Sequence, residues 1–356
     1  MLRTLWAAPL AWIYGLVVGI RHKLFDLKIL RSEEFDIPIV CVGNLTVGGT
    51  GKTPVTEYLI EYFASRYNIA VLSRGYKRKT RGFVLSDVRS SFRAIGDEPK
   101  QIKLKYPEIP VAVCERRVEG IRRLREAHPE VNLIILDDAF QHRYVESWVN
   151  ILLMDYNNPI YHDSFLPQGT LRDSRSQLYR ANFVLVTKCP DDLNPLDMRI
   201  VINSLGLFPY QSLYFTRMRQ GEITPLFADR AVGKVREGDP VIAMSGIANP
   251  VPLLENLRKR FDVVAELTFD DHHTYRLSDM RRLEALFAAY PDAVVLTTEK
   301  DAVKLTNRKK VPEAVQQRLY YVPIHVSFVA DSESEFLRQL ELYVRTNQKY
   351  SLLHPE

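Results

Sequence analysis

A glycine-rich segment at residues 46–54 constrains this chain more than any other stretch. It reads Thr-Val-Gly-Gly-Thr-Gly-Lys-Thr-Pro and lies between an apolar run at residues 37–42 and a helix-patterned segment at residues 55–63. A strand, a glycine-rich turn, a Lys-Thr pair and a helix in this order are typical of a phosphate-binding loop (P-loop), in which backbone N–H groups face nucleotide phosphates. The sequence therefore predicts a nucleoside triphosphate site, against the alternative of a glycine-rich turn that binds nothing.

The loop departs from the general pattern at Thr46, where that pattern has its first glycine. The glycines are crowded into residues 48–51 instead, as in the Gly-Gly-x-Gly-Lys-Thr variant, whose ATPase members often carry an extra lysine where this chain has Val47. We expect Lys52 to reach the β- and γ-phosphates and Thr53 to hold Mg²⁺. The expected ATP-binding residues are Thr46, Val47, Gly48, Gly49, Thr50, Gly51, Lys52 and Thr53.

The composition is that of a globular protein, with 46% hydrophobic and 26% charged residues, and 356 residues are enough for two domains. A net charge of +5 suits an anionic surface. Because no aromatic-and-basic module of the RNA-binding kind is present, we expect no nucleic acid partner, and no obligate protein partner is evident. Cys41, Cys114 and Cys189 lack metal-binding spacing, which predicts reduced thiols in a cytosolic compartment and no structural zinc.

The N-terminal segment is unusually apolar. Residues 5–20 contain no charged side chain, but this stretch is shorter than the ~20 residues that a straight helix needs to cross a bilayer. Trp6, Trp12 and Tyr14 belong to residue types that settle at membrane interfaces, and basic residues flank the stretch. We interpret residues 1–30 as a membrane-associated helix, with a buried core helix and a spanning anchor as alternatives.

From residue 37 onward, short apolar strands alternate with helical segments. Strands are expected at residues 39–42, 70–73, 111–113, 133–136, 151–154 and 183–187, with helices between them such as residues 116–127. This alternation predicts a doubly wound, mainly parallel α/β sheet, with ligands at the carboxyl ends of the strands. Residues 31–215 form the expected P-loop domain.

Glycine and proline become frequent after this domain, which predicts a linker at residues 216–240. A second series of strands and helices follows, including an expected strand at residues 320–326 and a closing helix at residues 332–345. The pattern predicts a smaller α/β domain at residues 241–356. We expect it to close over the nucleotide.

Three acids are candidates for chemistry in the first domain. Asp137 and Asp138 follow an apolar strand, which is the usual position of a carboxylate that reaches Mg²⁺, although adjacent acids also occur in solvated turns. Asp97 follows a glycine just before an expected helix. It either caps that helix or accepts a proton from an attacking hydroxyl group.

The second domain contains an acid and histidine cluster at residues 270–273. We do not expect metal binding here, because adjacent side chains point to different faces and no third ligand has suitable spacing. One histidine oriented by an acid and aimed across a cleft is the preferred interpretation. Residues 297–301 either line that cleft or cap the following helix.

The segment that begins at Lys188 bears on the choice of nucleotide. GTPases read guanine with an Asn-Lys-x-Asp pattern, and here Pro190 stands where that pattern has its aspartate, which favours ATP over GTP.

Together these segments resemble the tetraacyldisaccharide 4'-kinase family, the lipid A 4'-kinases of Gram-negative bacteria. The motifs that carry the resemblance include Gly-Asp-Glu-Pro at residues 96–99 and Asp-His at residues 271–272. The others lie at residues 42–54, 72–76, 136–142, 166–172 and 298–303, in the order of the family. The resemblance covers nearly the whole chain.

The resemblance implies transfer of the ATP γ-phosphate, with Mg²⁺, to the 4'-hydroxyl of a tetraacylated glucosamine disaccharide 1-phosphate lipid. It also implies a peripheral position at the membrane surface, on the cytoplasmic face of the inner membrane. The expected catalytic residues are Asp97 and His272, as the family's dyad, with Lys52 and Asp138. The expected metal ligands are Thr53, Asp137, Asp138 and Asp173, and the expected substrate contacts are Asn44, Arg74, Tyr76, Gln141 and Arg172.

Two positions depart from the family pattern. Asp173 stands where relatives commonly have glutamate, so we expect it to need water to reach the metal, and Ala139 replaces a frequent glycine.

Two other functions remain as alternatives. One is a membrane-associated P-loop ATPase switch of the partitioning or insertion type, against which Val47 and the Asp97–His272 pair argue. The other is a small-molecule kinase whose apolar helix belongs to the core.

Overall fold

The computed structural model describes residues 2–346, with side chains from residue 7 onward. Its strands are β1 (Ile39–Asn44), β2 (Ile69–Ser73), β3 (Val84–Leu85), β4 (Val111–Val113), β5 (Leu133–Asp137), β6 (Val149–Asp155), β7 (Phe183–Thr187), β8 (Ser212–Gln220), β9 (Thr224–Pro225), β10 (Pro240–Ser245), β11 (Asp262–Thr268), β12 (Val294–Thr298), β13 (Leu319–Val322) and β14 (Ile324–Phe328). Its α-helices are α1 (Leu2–Asp26), α2 (Lys52–Phe63), α3 (Phe92–Ile95), α4 (Asp97–Lys105), α5 (Arg117–Ala127), α6 (Pro195–Leu205), α7 (Val251–Arg260), α8 (Leu277–Ala289), α9 (Glu299–Ala302), α10 (Glu313–Gln316) and α11 (Glu333–Thr346).

A nine-stranded sheet forms the larger domain, in the order β14-β8-β7-β6-β1-β5-β2-β4-β3. The central strand, β1, pairs in parallel with β5 on one side and with β6 on the other. The edge strands β3 and β14 pair antiparallel with their neighbours. Parallel strands covered on both faces are apolar throughout, and β1, β2, β5 and β7 are accordingly buried along their whole length. The mainly parallel α/β sheet expected from the sequence is confirmed.

Helices cover both faces of this sheet. On one face, Leu59 and Phe63 of α2 and Phe336 of α11 belong to the apolar core. On the other face, Leu124 of α5 and Leu205 of α6 do the same. The loops at the carboxyl ends of the strands lie between these two layers, where α/β proteins carry their functional residues.

The smaller domain is built on a five-stranded sheet in the order β11-β10-β12-β13-β9. The strands β10, β11, β12 and β13 pair in parallel, and the short β9 pairs antiparallel with β13. Leu283 and Phe287 of α8 pack on one face and Leu257 of α7 on the other. This domain is therefore also of the α/β type.

The boundary between the domains differs from the expected linker at residues 216–240 and the expected C-terminal domain at residues 241–356. The strand β8 extends to Gln220 as part of the larger sheet, and β14 returns to pair with it, His325 opposite Arg219. The expected single strand at residues 320–326 is split at Pro323, which has no backbone N–H to continue a ladder.

The helix α11 also belongs to the larger domain. Its buried Phe336 contacts Phe183 of β7, with ring centroids 5.4 Å apart, and Tyr214 of β8 at 5.3 Å. The smaller domain is therefore inserted between β8 and β14, and the last described residues of the chain belong to the larger domain. Residues 347–356 of the expected domain lie outside the described residues.

The helix α1 lies with one face against the larger domain. Ala11, His22 and Phe25 on that face are buried, whereas Trp12 and Val17 on the opposite face are 70% and 60% exposed. Residues three, four and seven positions apart share a helix face, which explains this division. Among residues 2–346, no helix has an apolar stretch of the length that crosses a membrane.

Candidate active site

The loop between β1 and α2 has an open rim and a fixed base. Gly48 and Gly51 have φ angles of 103° and 85°, in the left-handed region that glycine adopts without strain. A Cβ atom added to Gly48 would meet nothing within 4 Å, whereas one added to Gly51 would clash with Met218 of β8. At the base, the Thr187 hydroxyl donates to the Thr50 carbonyl at 2.8 Å. The rim is thus accessible to a ligand while neighbouring strands hold the loop.

Lys52, the first residue of α2, places a positive charge beside this loop. Its Nζ lies 3.4 Å from Asn44 Oδ1 and 3.8 Å from Asp138 Oδ1. The unpaired N–H groups at the start of α2 add a partial positive charge at the same place. The combination favours an anion with several oxygens, such as a nucleotide phosphate.

Asp138, directly after β5, is held by two cations. The guanidinium of Arg172 contacts both of its oxygens, Nη2 to Oδ1 and Nη1 to Oδ2, the second at 3.2 Å. Burial raises the pKa of Asp138, but Lys52 and Arg172 outweigh that effect and lower the pKa to about 2. Asp138 is therefore ionised at neutral pH.

Asp137, the last residue of β5, is fully buried and has different partners. The hydroxyls of Thr56 and Ser73 donate to its two oxygens, each at 3.2 Å. Burial, followed by the nearby charges of Glu98 and Asp138, raises the pKa of Asp137 to about 7. A cation close to this carboxylate would stabilise its ionised form.

The donor set at the loop fits Mg²⁺ chemically. This ion prefers oxygen ligands and is usually bound by one or two carboxylates together with substrate phosphates and water. The carboxylate of Asp137 and the hydroxyl of Thr53, which follows Lys52 in α2, are ligands of this kind. Among residues 2–346, no three His, Cys, Asp or Glu side chains come together as a site that would hold a metal by themselves.

Asp173, one of the expected metal ligands, is hydrogen-bonded to protein groups in this structure. Its Oδ1 lies 2.5 Å from His22 Nε2 and accepts from the Ser174 N–H at 2.8 Å. Its Oδ2 accepts from Gln141 Nε2 at 3.3 Å. Burial raises the pKa of Asp173, but His22 and Arg180 outweigh that effect and hold the pKa below its usual value. Both oxygens have protein partners in this structure, and the role of Asp173 in metal binding stays a prediction.

Asp97 and His272 meet across the two domains. Asp97 begins α4, His272 lies in the loop after β11, and His272 Nδ1 is 2.8 Å from Asp97 Oδ2. Because the carboxylate is ionised, it accepts, so Nδ1 carries the hydrogen. The other ring nitrogen, Nε2, faces Lys300 Nζ at 3.4 Å. The expected histidine oriented by an acid is thus present in the geometry.

Buried lysine charge keeps Asp97 ionised. Burial raises its pKa, but the His272 hydrogen bond and the charges of Lys304 and Lys300 outweigh that effect and hold the pKa below its usual value. The Lys304 side chain is 1% exposed, and its Nζ lies 3.8 Å from Asp97 Oδ2. The arrangement maintains a carboxylate at the boundary between the domains.

The expected substrate contacts fall into two groups. Arg172 Nη2 lies 2.5 Å from Asn44 Oδ1, and Gln141 donates to the Asn44 carbonyl at 2.8 Å, so these three residues form one cluster beside the loop. Tyr76 is 58% exposed, and its ring packs edge-on against His272 at 5.5 Å. Arg74 is exposed and makes no described hydrogen bond.

Two buried charged residues hold the loops around the site, and the sequence analysis did not identify the first of them, Arg117. Arg117 is 2% exposed and donates to the carbonyls of Cys114 at 3.0 Å and Asp138 at 3.4 Å. Asp301 accepts from the Gly246 N–H at 2.8 Å and pairs with Lys304 at 2.9 Å. Residues 298–301 therefore both begin α9 and hold the loop that follows β10. The one feature of the sequence that could have indicated burial of Arg117 is its position in the first turn of an amphipathic helix.

The fold defines a class of mixed α/β proteins with parallel sheets. A crystal structure described as the "apo" form of LpxK from Aquifex aeolicus in complex with ATP has a TM-score of 0.74 to this chain at 24% identity. The match covers 97% of this chain and 100% of that chain, and at this identity it shows a common fold.

Sequence comparison gives the family. The family model for tetraacyldisaccharide-1-P 4'-kinase matches residues 3–343. Proteins named tetraacyldisaccharide 4'-kinase from Phocaeicola vulgatus and Parabacteroides distasonis are each 44% identical to this chain. Those matches cover 97% and 96% of this chain, and 96% and 95% of the two relatives. The chain therefore belongs to the tetraacyldisaccharide-1-P 4'-kinase family, and the resemblance described above is confirmed.

Proposed function

We propose that this chain transfers the γ-phosphate of ATP to the 4'-hydroxyl of a tetraacyldisaccharide 1-phosphate, the step of lipid A biosynthesis that gives lipid IVA. The observation that carries the proposal is the Asp97–His272 pair. Asp97 begins α4, and α4 packs on α2, the helix that follows the glycine-rich loop, where Gln101 donates to Glu57 at 2.8 Å. A proton acceptor next to a phosphate site is what a kinase needs and an ATPase switch does not.

The loop residues supply the nucleotide end of this reaction. The backbone N–H groups of residues 46–53 and the charge of Lys52 hold the phosphates of ATP and neutralise charge that develops on them. Phosphoryl transfer asks mainly for such positioning and neutralisation. Asp138, ionised and fixed by Arg172, keeps Lys52 turned toward the loop.

Asp97 receives the proton of the 4'-hydroxyl. His272 holds the carboxylate through Nδ1–H, and Lys300 and Lys304 balance its charge before transfer. Tyr76 borders this pair on the exposed side and contacts the sugar together with Arg74. On the other side of the loop, Asn44, Gln141 and Arg172 form a polar wall for the disaccharide.

Bound Mg²⁺ supplies positive charge that neutralises the phosphate oxygens during transfer. Asp137 and Thr53 are the residues that would hold it. Asp138 would act through its charge, because the charged guanidinium of Arg172 bridges its two oxygens, whereas only neutral hydroxyls bond those of Asp137.

The exposed face of α1 brings the enzyme to its lipid substrate. Apolar side chains that include Trp12, Ile13, Val17 and Ile20 are each at least half exposed on that face. An interfacial helix of this kind lets the acyl chains of the substrate stay in the bilayer while the sugar reaches the site. We assign the protein to the cytoplasmic face of the inner membrane, where ATP is available.

A label-transfer assay tests the proposal. Wild type and Asp97→Ala are incubated with γ-labelled ATP and a tetraacyldisaccharide 1-phosphate in mixed micelles. We expect labelled lipid from the wild type and a loss of ~10² or more in rate in the variant. Intact ATP hydrolysis with no labelled lipid from the wild type would support an ATPase switch and refute the proposal.

A further inference from the structure

The buried face of α1 is bonded to the residues beside the loop. The Tyr14 hydroxyl donates to the Arg172 carbonyl at 2.9 Å. Arg21 Nη2 donates to the Gln141 carbonyl at 2.9 Å, and His22 Nε2 lies 2.5 Å from Asp173 Oδ1. The polar groups on this face therefore contact the same short segments that form the wall around Asn44.

The partners of His22 define which of its nitrogens carries hydrogen. Its Nδ1 lies 3.1 Å from Arg143 Nη1, and a guanidinium has donors only, so Nδ1 accepts. The hydrogen is consequently on Nε2, which donates to Asp173. The His22 and Asp173 side chains are 4% and 1% exposed. The imidazole of His22, with a partner at each nitrogen, is thus held between an arginine and a carboxylate.

These bonds help to hold the main chain of Arg172. The N–H groups of Arg172 and Asp173 both donate to the Leu45 carbonyl, at 2.9 and 3.2 Å. Tyr14 holds the carbonyl between them, and His22 holds the next side chain. With its main chain fixed in this way, Arg172 reaches Asp138 and Asn44 in one orientation.

We propose that His22 and Tyr14 are positioning residues for Arg172, so that α1 is part of the active-site frame as well as a membrane contact. The inference rests on the proposed kinase function, and neither residue touches substrate in it. It also gives a role to Asp173. Asp173 bonds to the imidazole of His22 in α1 and thereby helps to position the neighbouring Arg172.

The test compares His22→Ala with His128→Ala, a matched control. His128 also contacts an acid, Glu130 at 2.9 Å, but on the exposed surface after α5. The rate constant kcat and the KM for lipid are measured in mixed micelles at saturating ATP, and binding to anionic phospholipid vesicles is measured by sedimentation. His22→Gln, which keeps a donor at similar reach, is the rescue variant.

We expect His22→Ala to lower kcat by about 10-fold or more, because a small misplacement of a positioned group has effects of that size. Vesicle binding and the KM for lipid should stay within about twofold of wild type. His22→Gln should recover most of kcat, and His128→Ala should behave as wild type. A loss confined to vesicle binding or KM would overturn the inference, since it would mean that His22 only seats the membrane helix.

Thermal unfolding of each variant separates misplacement from loss of fold. If His22→Ala unfolds at the assay temperature, Tyr14→Phe tests the same inference by removing one hydroxyl. We then expect kcat to fall by about threefold with vesicle binding unchanged, and an unchanged kcat would overturn the inference. An inactive wild type would instead refute the kinase function itself, so the two failures are distinguishable.

Discussion

Two adjacent histidines each bond an aspartate, yet their pairs differ in what they join. His272 Nδ1 meets Asp97, 175 positions away in the other domain, at 2.8 Å. His273 Nε2 meets Asp279, six positions away in the same domain, at 2.9 Å. The distances are nearly equal, so distance alone does not distinguish a functional pair from a structural one.

Their surroundings do distinguish them. His273 stacks on Phe269 with ring centroids 4.4 Å apart, and Asp279 accepts from the Arg276 N–H where α8 begins. His272 has a φ of 63°, a left-handed conformation that is costly for a histidine. A local pair that completes a helix start needs no further explanation. A strained pair that joins two domains is a candidate for catalysis.

The largest difference should appear when each pair loses its carboxylate. Asp97→Asn removes the proton acceptor, so we expect kcat to fall by ~10²–10⁴. Asp279→Asn should leave kcat within about threefold of wild type, because that acid lies in a helix start. Label transfer to lipid measures both variants, and equal losses would mean that the two pairs have the same role.

The histidines themselves should separate activity from stability. His272→Ala should lower kcat by about 10- to 100-fold with little change in thermal stability, since it orients the proton acceptor. His273→Ala should keep most activity but lose about 1 kcal/mol of unfolding free energy, because it gives up a hydrogen bond and a ring contact. Steady-state kinetics and urea unfolding are the measurements, and a stable, inactive His273→Ala would reverse the assignment.

The pH dependence should sharpen the comparison further. The pKa of Asp97 lies below its usual value, so its carboxylate is present at neutral pH and is lost only as the pH falls through that lowered pKa. Lys304→Met removes one of the charges that lower it. The acid limb of the kcat/KM profile should therefore move to higher pH. A limb that stays in place would show that Asp97 does not control it.

The smallest effect concerns domain movement. Only the first of the two pairs spans the domains, so closure on ATP should tighten it and leave the His273 pair unchanged. We expect small-angle scattering to show a small fall in the radius of gyration when ATP is added. His272→Ala, which loosens the contact between domains, should weaken that response. No ATP-dependent compaction in the wild type would contradict closure.

Sequence reasoning succeeded where the information is local. The loop around Lys52 and the acids at the end of β5 follow directly from the order of strand, turn and helix, and the structure brings Lys52 within 3.8 Å of Asp138. The mainly parallel sheet was predictable from its alternating pattern for the same reason. The roles assigned to the individual site residues remain predictions.

It fell short where partners are far apart in the chain. One hydrogen-bond partner of Asp173 is His22, 151 positions earlier in the chain. A lone histidine in an apolar helix does not indicate which residue it will bond. The pairing of β14 with β8 was equally hidden, because an edge strand is chosen by tertiary contacts and a short apolar run fits either sheet. Pro323 was the one local indication that the run at residues 320–326 divides.

The insertion of the smaller domain affects how the protein is made. The larger domain receives its edge strand β14 and its covering helix α11 from residues 324–346, after the whole smaller domain has been synthesised. Until then Phe183 and Tyr214 lack the apolar partner that Phe336 provides. Domains usually fold from the N-terminus as they emerge from the ribosome. Here the larger domain lacks its edge strand and covering helix until the end of the chain is made, so a C-terminal truncation would damage the larger domain more than the smaller one.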